Sequence, residues 1–548
     1  MKSIWMFNYY IAMAESKQDM LRSLISMLKT SSPIVVCQTL EKILCYYDLF
    51  DIEMKNTLVG YIEKMKACAF CRKCCKDFQW WNNLRKVAYD FEKMTRDDAC
   101  LSECDLHPSV AIIVPNHLSA NSFLQPPVDS LMVVRQLVAK NISYEFIDNR
   151  LEKLDPVKLY SKIKSCEYVV ITSTPYDHIQ NYFLDYRLKY VFLLVSYIKK
   201  CDSRKKVILC GAHGSVRPDI VFRETNVDYV IRGEYDFLID DVIEKLMNNQ
   251  SVSSDYIVAR NDSMTYKQDT FLHDVDSYLK KKDTMPYYKC IDFSRYFGDV
   301  YIDDSLQKTS GYAAILASRG CTHNCNFCFN FFGQKVRYRN PDSVVDEMMY
   351  MQQSGVKGIY FMDSTFTQNR DWTWRVCEEI VKRNIHIPWS AETRCDCVDN
   401  DLLQIMSKAN CRALWFGVES FCSQVLKMNN KYFDSGIGYK AIQMCRKNRI
   451  QPLQFIMIGA PGESMTSLND TINGLGELGE SYVESVMVAT PRFGTGYYQT
   501  AKKQYEYLGN DFYSLNGVRG MVSNEMTPKI LEEAMARINN RDFRLLHG

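Results

Sequence analysis

The chain has 548 residues, 47% hydrophobic and 24% charged, with 24 Gly and 15 Pro; this is an ordinary folded composition, too long for one common-sized core, and it predicts roughly two to four domains. Lys and Arg total 67 against 65 Asp and Glu, and the resulting net charge of +2 provides no global field to steer a polyanion, so nucleic acid is not an expected partner. The longest strongly apolar stretch, Tyr190 to Ile198, is closed by Lys189 and Lys199, whereas a spanning helix needs roughly 20 apolar residues, so no membrane span is expected. Behind Lys2, the apolar residues of 3–14 are interrupted by Asn8 and followed by Glu15 with no small-residue cleavage pattern, and export is not expected.

Residues 1–105 read as a helical prefix, because apolar side chains recur at threes and fours in Met20, Leu21, Leu24, Ile25, Met27 and Leu28. Within it lie Cys68, Cys71, Cys74 and Cys75. On a helix 68, 71 and 75 share one face and could ligate a metal or an auxiliary cluster, but buried cysteines on an apolar stripe are common and inert. From His107 the texture changes. Short apolar strands at 110–114, 143–147, 168–172, 207–210 and 228–231 alternate with helical segments at 131–138 and around 155–165, 187–200 and 217–225, which predicts a parallel sheet covered on both faces over 106–250.

Residues 251–308 are polar, rich in Asp, Ser and Lys and without a sustained period, and read as a connecting segment. A second alternating series follows in 309–500. Its strands are expected at 312–317, 358–362, 387–391, 412–417, 453–458 and 484–488, and its helices near 342–354, 372–383, 399–408, 435–448 and 466–478. Six strand–helix steps imply a barrel or partial barrel with its chemistry in the loops after the strands. The extension 501–548 reads as helical from Met526. Twenty-one cysteines are too few for a disulfide scaffold of this length, so reduced thiols in a cytoplasm are expected.

The loop after the first strand of the second series reads Ser318-Arg-Gly-Cys321-Thr-His-Asn-Cys325-Asn-Phe-Cys328. Three thiolates at CxxxCxxC spacing can wrap one inorganic cluster with three sulfur ligands and leave one iron open for chemistry. A closed zinc site is the alternative, with His323 as fourth ligand if the loop turns it inward. This motif resembles that of the radical S-adenosylmethionine enzymes, and the resemblance extends over most of 105–500. It implies that Cys321, Cys325 and Cys328 hold a four-iron four-sulfur cluster whose open iron chelates the amino and carboxylate groups of S-adenosylmethionine. One electron then releases a deoxyadenosyl radical.

Other segments match the family residue by residue. Phe327 takes the aromatic position near the adenine, although simple packing explains it equally well. Gly417-Val418-Glu419-Ser420 resembles the segment that contacts the ribose and methionine parts, with Glu419 suited to accept a hydroxyl. Arg394 resembles the residue that approaches the cofactor carboxylate, its alternative being a surface ion pair. Gly459-Ala-Pro-Gly462-Glu463 resembles the glycine-containing loop beside the adenine, since glycine permits close backbone approach. After the second strand, Phe361-Met-Asp363-Ser364-Thr-Phe366 departs from the common Gly-Gly-Glu form and is similar to the cobalamin-associated branch, in which Asp363 and Ser364 would face the cofactor's amino group. Cys395 and Cys397, next to Arg394, read as packed thiols or as substrate contacts.

Residues 106–250 resemble the cobalamin-binding Rossmann-like domain of that branch. The marks are Asn116 after the first strand, Ser173 and Thr174 after the third, Gly211 and His213 after the fourth, and Gly233 and Glu234 after the fifth; the carboxyl ends of the strands are where an open parallel sheet binds its ligand. The DxHxxG motif that ligates cobalt is absent from the sequence, so binding with no histidine on cobalt is expected, and His213 reads as a backbone or neighbouring contact more than as a ligand.

The resemblance thus implies an α/β chain with a Rossmann-like cobalamin-binding domain, a (β/α)6 partial-barrel radical domain and a helical N-terminal prefix. Its cofactors would be a 4Fe-4S cluster, S-adenosylmethionine and cobalamin. Its activity would be methylation of an unactivated carbon of a peptide or small natural product, with electrons from a donor such as flavodoxin or ferredoxin. In that scheme one S-adenosylmethionine methylates cob(I)alamin, a second yields the radical, and methylcobalamin delivers the methyl group to the substrate radical. The rivals are rearrangement or ring formation by the same machinery, a methylthiotransferase, and a non-enzymatic zinc-binding interaction protein.

Overall fold

The computed structural model describes residues 107–116, 124–173, 185–252, 254–260, 279, 285–302, 305–479, 482–489, 495–499, 526 and 528–546. The helical prefix 1–105, with Cys68, Cys71, Cys74 and Cys75, lies outside the described residues, as does Thr174. Two compact units partition the described chain: one takes in residues 107–116 and 133–260, the other 124–132 and the described residues from 279 onward.

The first unit contains a six-stranded sheet of β1 (His107–Val114), β2 (Tyr144–Asp148), β3 (Cys166–Thr172), β4 (Lys206–Cys210), β5 (Tyr229–Ile231) and β6 (Ile257–Ala259) in the order β2-β1-β3-β4-β5-β6. The first five are parallel, and β6 runs antiparallel along the edge. Helices α1 (Val128–Ala139), α2 (Pro156–Lys162), α3 (Asp185–Cys201), α4 (Ala212–Val216), α5 (Pro218–Glu224) and α6 (Ile239–Met247) connect the strands. Residues 110–114 of β1 and 168–171 of β3 are continuously apolar and buried, as strands covered on both faces must be. Lys205 lies fully buried beside them, with its ammonium donating to the carbonyls of Ile163, Lys164 and Cys166 at 3.0, 2.8 and 2.6 Å. This cation therefore belongs to the framework.

In the second unit an antiparallel ribbon, β7 (Phe297–Ile302) with β8 (Ser305–Ser310), precedes β9 (Tyr312–Ile315). The sequence reading of 251–308 as a plain connection needs correction here. β8 is exposed along almost its whole length, so no apolar alternation marks it, and three-residue β6 is too short to show a period. The short pair β10 (Ser318–Arg319) and β11 (Arg337–Tyr338) leads into α7 (Pro341–Gln353), β12 (Gly358–Phe361), α8 (Arg370–Lys382), β13 (Trp389–Thr393), α9 (Asn400–Lys408), β14 (Cys411–Glu419), α10 (Ser423–Met428), α11 (Ser435–Lys447), β15 (Gln451–Ile458), α12 (Met465–Glu477), β16 (Tyr482–Val488) and α13 (Pro528–Asn539). Strands β9, β12, β13, β14, β15 and β16 form one parallel sheet in sequential order. With the strand order never reversing, crossovers of the one hand usual for parallel sheets keep the helices on one face, which is the arrangement of a (β/α)6 partial barrel.

Local chemistry fixes where these helices start. Asn340, Asn369, Asp399, Asp434 and Ser464 cap α7, α8, α9, α11 and α12 through their side chains, satisfying amides that the first turn leaves unpaired. Just after β11, Arg339 forms a buried ion pair with Glu347 at 2.5 Å, and the Tyr288 hydroxyl donates to the same carboxylate at 2.5 Å.

Candidate active site

The cysteine loop leaves β10 and returns through β11, so an antiparallel clasp closes its base. Gly320 has φ +98°, and a Cβ there would lie 2.5 Å from the Lys335 carbonyl oxygen; glycine is the residue that admits both the angle and the approach. Immediately afterwards the Cys321 amide donates to the Gly333 carbonyl at 2.9 Å, and the Asn330 side chain donates to the Cys321 carbonyl at 2.8 Å. The Cys328 amide closes a turn onto the Cys325 carbonyl at 3.1 Å.

Asn326, between the second and third cysteines, ties the loop to the barrel. Its amide donates to the Asn429 carbonyl at 3.2 Å, its side chain donates to the Met428 carbonyl at 3.0 Å, and its carbonyl accepts from the Tyr497 amide at 3.0 Å. The Tyr497 hydroxyl bonds the Asn429 side chain. Phe327 packs half-buried against Val425, Met457, Ala460, Ala489 and Tyr497, which fixes its place beside the loop.

Two cations and two carboxylates surround Cys325. Arg394 is buried, with Nε and Nη2 each 2.8 Å from Asp396 and Nη1 3.6 Å from the Cys325 sulfur. Lys431 is 3% exposed and pairs with Glu419 at 2.9 Å. Its ammonium stands 5.8 Å over the Phe327 ring and 5.7 Å over the Phe433 ring. Glu419 has φ +65° and follows a register break between Gly417 and Glu419 in β14, a bulge that re-aims the side chain at the end of the strand. Burial pushes the Cys325 thiol up, and Lys431 and Arg394 act against that shift.

Three residues expected at the cofactor have protein partners in this structure. Asp363 is 1% exposed and accepts from the Ala317 amide at 3.2 Å and from the Ser318 hydroxyl. Burial raises its carboxyl to about 7 despite those bonds. It anchors the approach to the cysteine loop. Ser364, beside it, is exposed. The guanidinium of Arg394, expected at a cofactor carboxylate, is taken up by Asp396 and Cys325. At Gly459, φ +74°, the space expected to admit adenine is bordered by Leu531 of α13, 3.2 Å from where a Cβ would stand, while the Gly459 amide donates to Glu463. Cys395 is buried and Cys397 half-buried.

Asp396, Lys431, Asn326 and Tyr497 were not singled out from sequence. Only Asp396 carries a signal: among the described residues an Arg and an Asp two residues apart pair bidentately at four further places, Asp148/Arg150, Asp202/Arg204, Arg217/Asp219 and Asp542/Arg544.

The donor set fits a four-iron four-sulfur cluster better than zinc. Among the described residues no three His, Cys, Asp or Glu side chains converge as a single ion requires; the thiolates of a cubane bind separate irons and need not converge. Burial and then Arg394 hold the His323 imidazole below its usual range.

In the first unit the expected residues occupy the carboxyl ends of β1, β3, β4 and β5. Asn116 is half-buried just after β1, and the Ser173 hydroxyl donates to the Cys210 carbonyl at 2.8 Å. Gly211 has φ +112° and Gly233 φ +76°, and the Gly233 amide donates to the Ser215 hydroxyl at 2.8 Å. Arg232 donates to the Ser215 carbonyl at 2.9 Å, and Glu234 is fully buried. The backbone of His213 lies in α4; its side chain is outside the described set. The strand order reverses between β1 and β3, the point where such sheets bind ligands.

Residues 315–475 match the model of the Radical SAM superfamily. An uncharacterized methyltransferase of Pyrococcus horikoshii is 22% identical over 388 residues, covering 69% of this chain and 78% of the relative. The tryptophan 2-C-methyltransferase of Streptomyces laurentii is 23% identical over 204 residues, covering 34% of each chain. The radical S-adenosylmethionine methyltransferase TsrM of Kitasatospora setae, solved with cobalamin and a [4Fe-4S] cluster bound, superposes with a TM-score of 0.56 at 15% identity, over 73% of this chain and 79% of that one.

Proposed function

The chain belongs to the radical S-adenosylmethionine superfamily, and from that premise we propose that it is a cobalamin-dependent C-methyltransferase acting on an unactivated carbon of a peptide or small natural product. The observation that carries the proposal is the cysteine loop itself, clasped by β10 and β11 and pinned through Asn326 at the carboxyl end of a parallel barrel. A separate sheet of order 2-1-3-4-5 with ligand-type loops precedes it. When bound, the cluster with S-adenosylmethionine supplies a carbon-centred radical, and cobalamin supplies a methyl carrier.

The chain's own contribution is positional. Cys321, Cys325 and Cys328 hold the cluster, Asn326 and Gly320 set the loop that carries them, and Phe327 with Tyr497 forms an apolar wall beside it. Exposed Ser364 at the end of β12 is available to the bound cofactor. Asn116, Ser173, Gly211 and Gly233 line the ligand end of the first sheet. The described cysteines are all free thiols, a state that a reducing cytoplasm preserves, and a flavodoxin or ferredoxin there would donate the electrons. Among the described residues no helix is long and apolar enough to cross a membrane.

Anaerobically reconstituted protein tests the reading. About four irons and matching acid-labile sulfide per chain are expected, with retained cobalamin whose cob(II)alamin resonance lacks axial nitrogen splitting. Deoxyadenosine should form, and label from methyl-labelled S-adenosylmethionine should appear on a substrate carbon. Alanine at Cys321, Cys325 and Cys328 together should abolish both iron binding and deoxyadenosine formation. Zinc without labile sulfide in the parent chain would refute the reading, and a product without the methyl label would refute its methylating part.

A further inference from the structure

We propose that Arg394, clamped by Asp396, is the cationic hydrogen-bond donor to the Cys325 sulfur that sets the reduction potential of the cluster. The inference rests on the cluster reading above and deepens it. The guanidinium offers a planar fork, and each of its three nitrogens has a partner. Nε and Nη2 grip the two oxygens of Asp396 at 2.8 Å each, leaving Nη1 directed at the Cys325 sulfur 3.6 Å away. Its carbon stands 5.4 Å over the Phe433 ring, and only 8% of the side chain is exposed. An arginine restrained by a carboxylate, a ring and burial pays little further entropy to hold one N–H on a sulfur.

The sign of the effect follows from the charge order. Asp396 binds the edge of the guanidinium away from Nη1, so the sulfur faces the cation more closely than the anion, and Coulomb attraction weakens with distance. Reduction brings one electron from an external donor into the cluster, with no bond made or broken at Arg394. A nearby cation and an N–H donated to a cluster thiolate favour the more negative, reduced form. Lys431 is also near, but its ammonium is spent on Glu419 at 2.9 Å. Arg394 is the cation bonded to a cluster sulfur.

The test is a redox titration of the reconstituted full chain, without S-adenosylmethionine, followed by electron paramagnetic resonance. At a fixed potential the ratio of reduced to oxidised cluster should fall at least tenfold in Arg394→Gln, equivalent to about 59 mV for one electron. Arg394→Lys, which keeps a cation without the planar fork, should fall between that variant and the parent. A second measurement needs no variant: parent protein labelled with 15N-arginine should show a nitrogen coupling on the reduced cluster by pulsed resonance. An Arg394→Gln ratio within twofold of the parent at equal iron and sulfide overturns the proposal. So does absence of the 15N coupling, including the case where Arg394→Gln fails to hold a cluster. Loss of S-adenosylmethionine affinity at unchanged potential also overturns it, because Arg394 would then serve the cofactor carboxylate. A parent chain that binds no cluster overturns the functional reading first, and the iron and sulfide content of the same samples identifies that case.

Discussion

Replacing Glu463 by Gln should change the pH dependence of stability in a calculable way. The Glu463 side chain is fully buried at the turn after β15 and accepts from the Gly459 amide. Burial lifts its carboxyl from an ordinary 4.5 to about 7. The folded state therefore holds the proton more tightly than the unfolded chain does. Its stabilising contribution is complete below pH 4.5 and is lost as pH rises through about 7. The full shift corresponds to about 3 kcal/mol, of which roughly 2–3 kcal/mol falls between about pH 5 and pH 8 by the same linkage. Gln keeps an oxygen for the Gly459 amide and never ionises. Urea unfolding of metal-free protein, followed through tryptophan fluorescence, should show the variant gaining about 2–3 kcal/mol on the parent from about pH 5 to about pH 8. Other titrating groups, Asp363 among them, are present in both chains and cancel in the difference. An offset between variant and parent that stays constant across this range would refute the reasoning.

Two further outcomes are expected. Glu347→Leu should destabilise the second unit by about 3–5 kcal/mol in thermal or urea unfolding, because it leaves the Arg339 cation buried without its carboxylate and removes the acceptor of the Tyr288 hydroxyl. Gly320→Ala places a Cβ 2.5 Å from the Lys335 carbonyl at φ +98°, so reconstituted protein should carry markedly less iron than the parent while its far-ultraviolet circular dichroism stays close to the parent's.

Much of the architecture is legible in the sequence because its periods are strong and its punctuation is chemical. Each of α7, α8, α9, α11 and α12 begins within two residues of the expected position, where an Asn, Asp or Ser caps it. β8, polar except for exposed Leu306, carries no such pattern: as one strand of a two-stranded ribbon it is held by its ladder with β7. α6 was overlooked although its Ile239, Val242 and Ile243 are buried at helical spacing; a nine-residue helix offers few repeats from which to read a period.

The site divides along similar lines. Cysteine spacing within one loop is local information and locates Cys321, Cys325 and Cys328 without the fold. What surrounds them is assembled from distant parts of the chain: Lys431 arrives from beyond α10, and Tyr497 from beyond β16. Asp363 shows how little a residue type says by itself. A carboxylate at the end of a barrel strand suggests a ligand contact, yet the neighbouring Ala317 amide and Ser318 hydroxyl claim it. No sequence pattern distinguishes those two uses of an aspartate.

Leu531 against Gly459 has a consequence for the order in which a ribosome delivers the molecule. The turn after β15 emerges long before α13, which packs along β16 and carries the Leu531 methyl groups to within 3.2 Å of the Gly459 Cβ direction. During synthesis that flank of the turn stays wet, and nascent β16 lacks the cover that α13 later provides. Iron loading in the cell thus has an interval in which the cysteine loop exists while the barrel rim beside Gly459 is unfinished, and a chain stalled or clipped before Pro528 would remain in that open form.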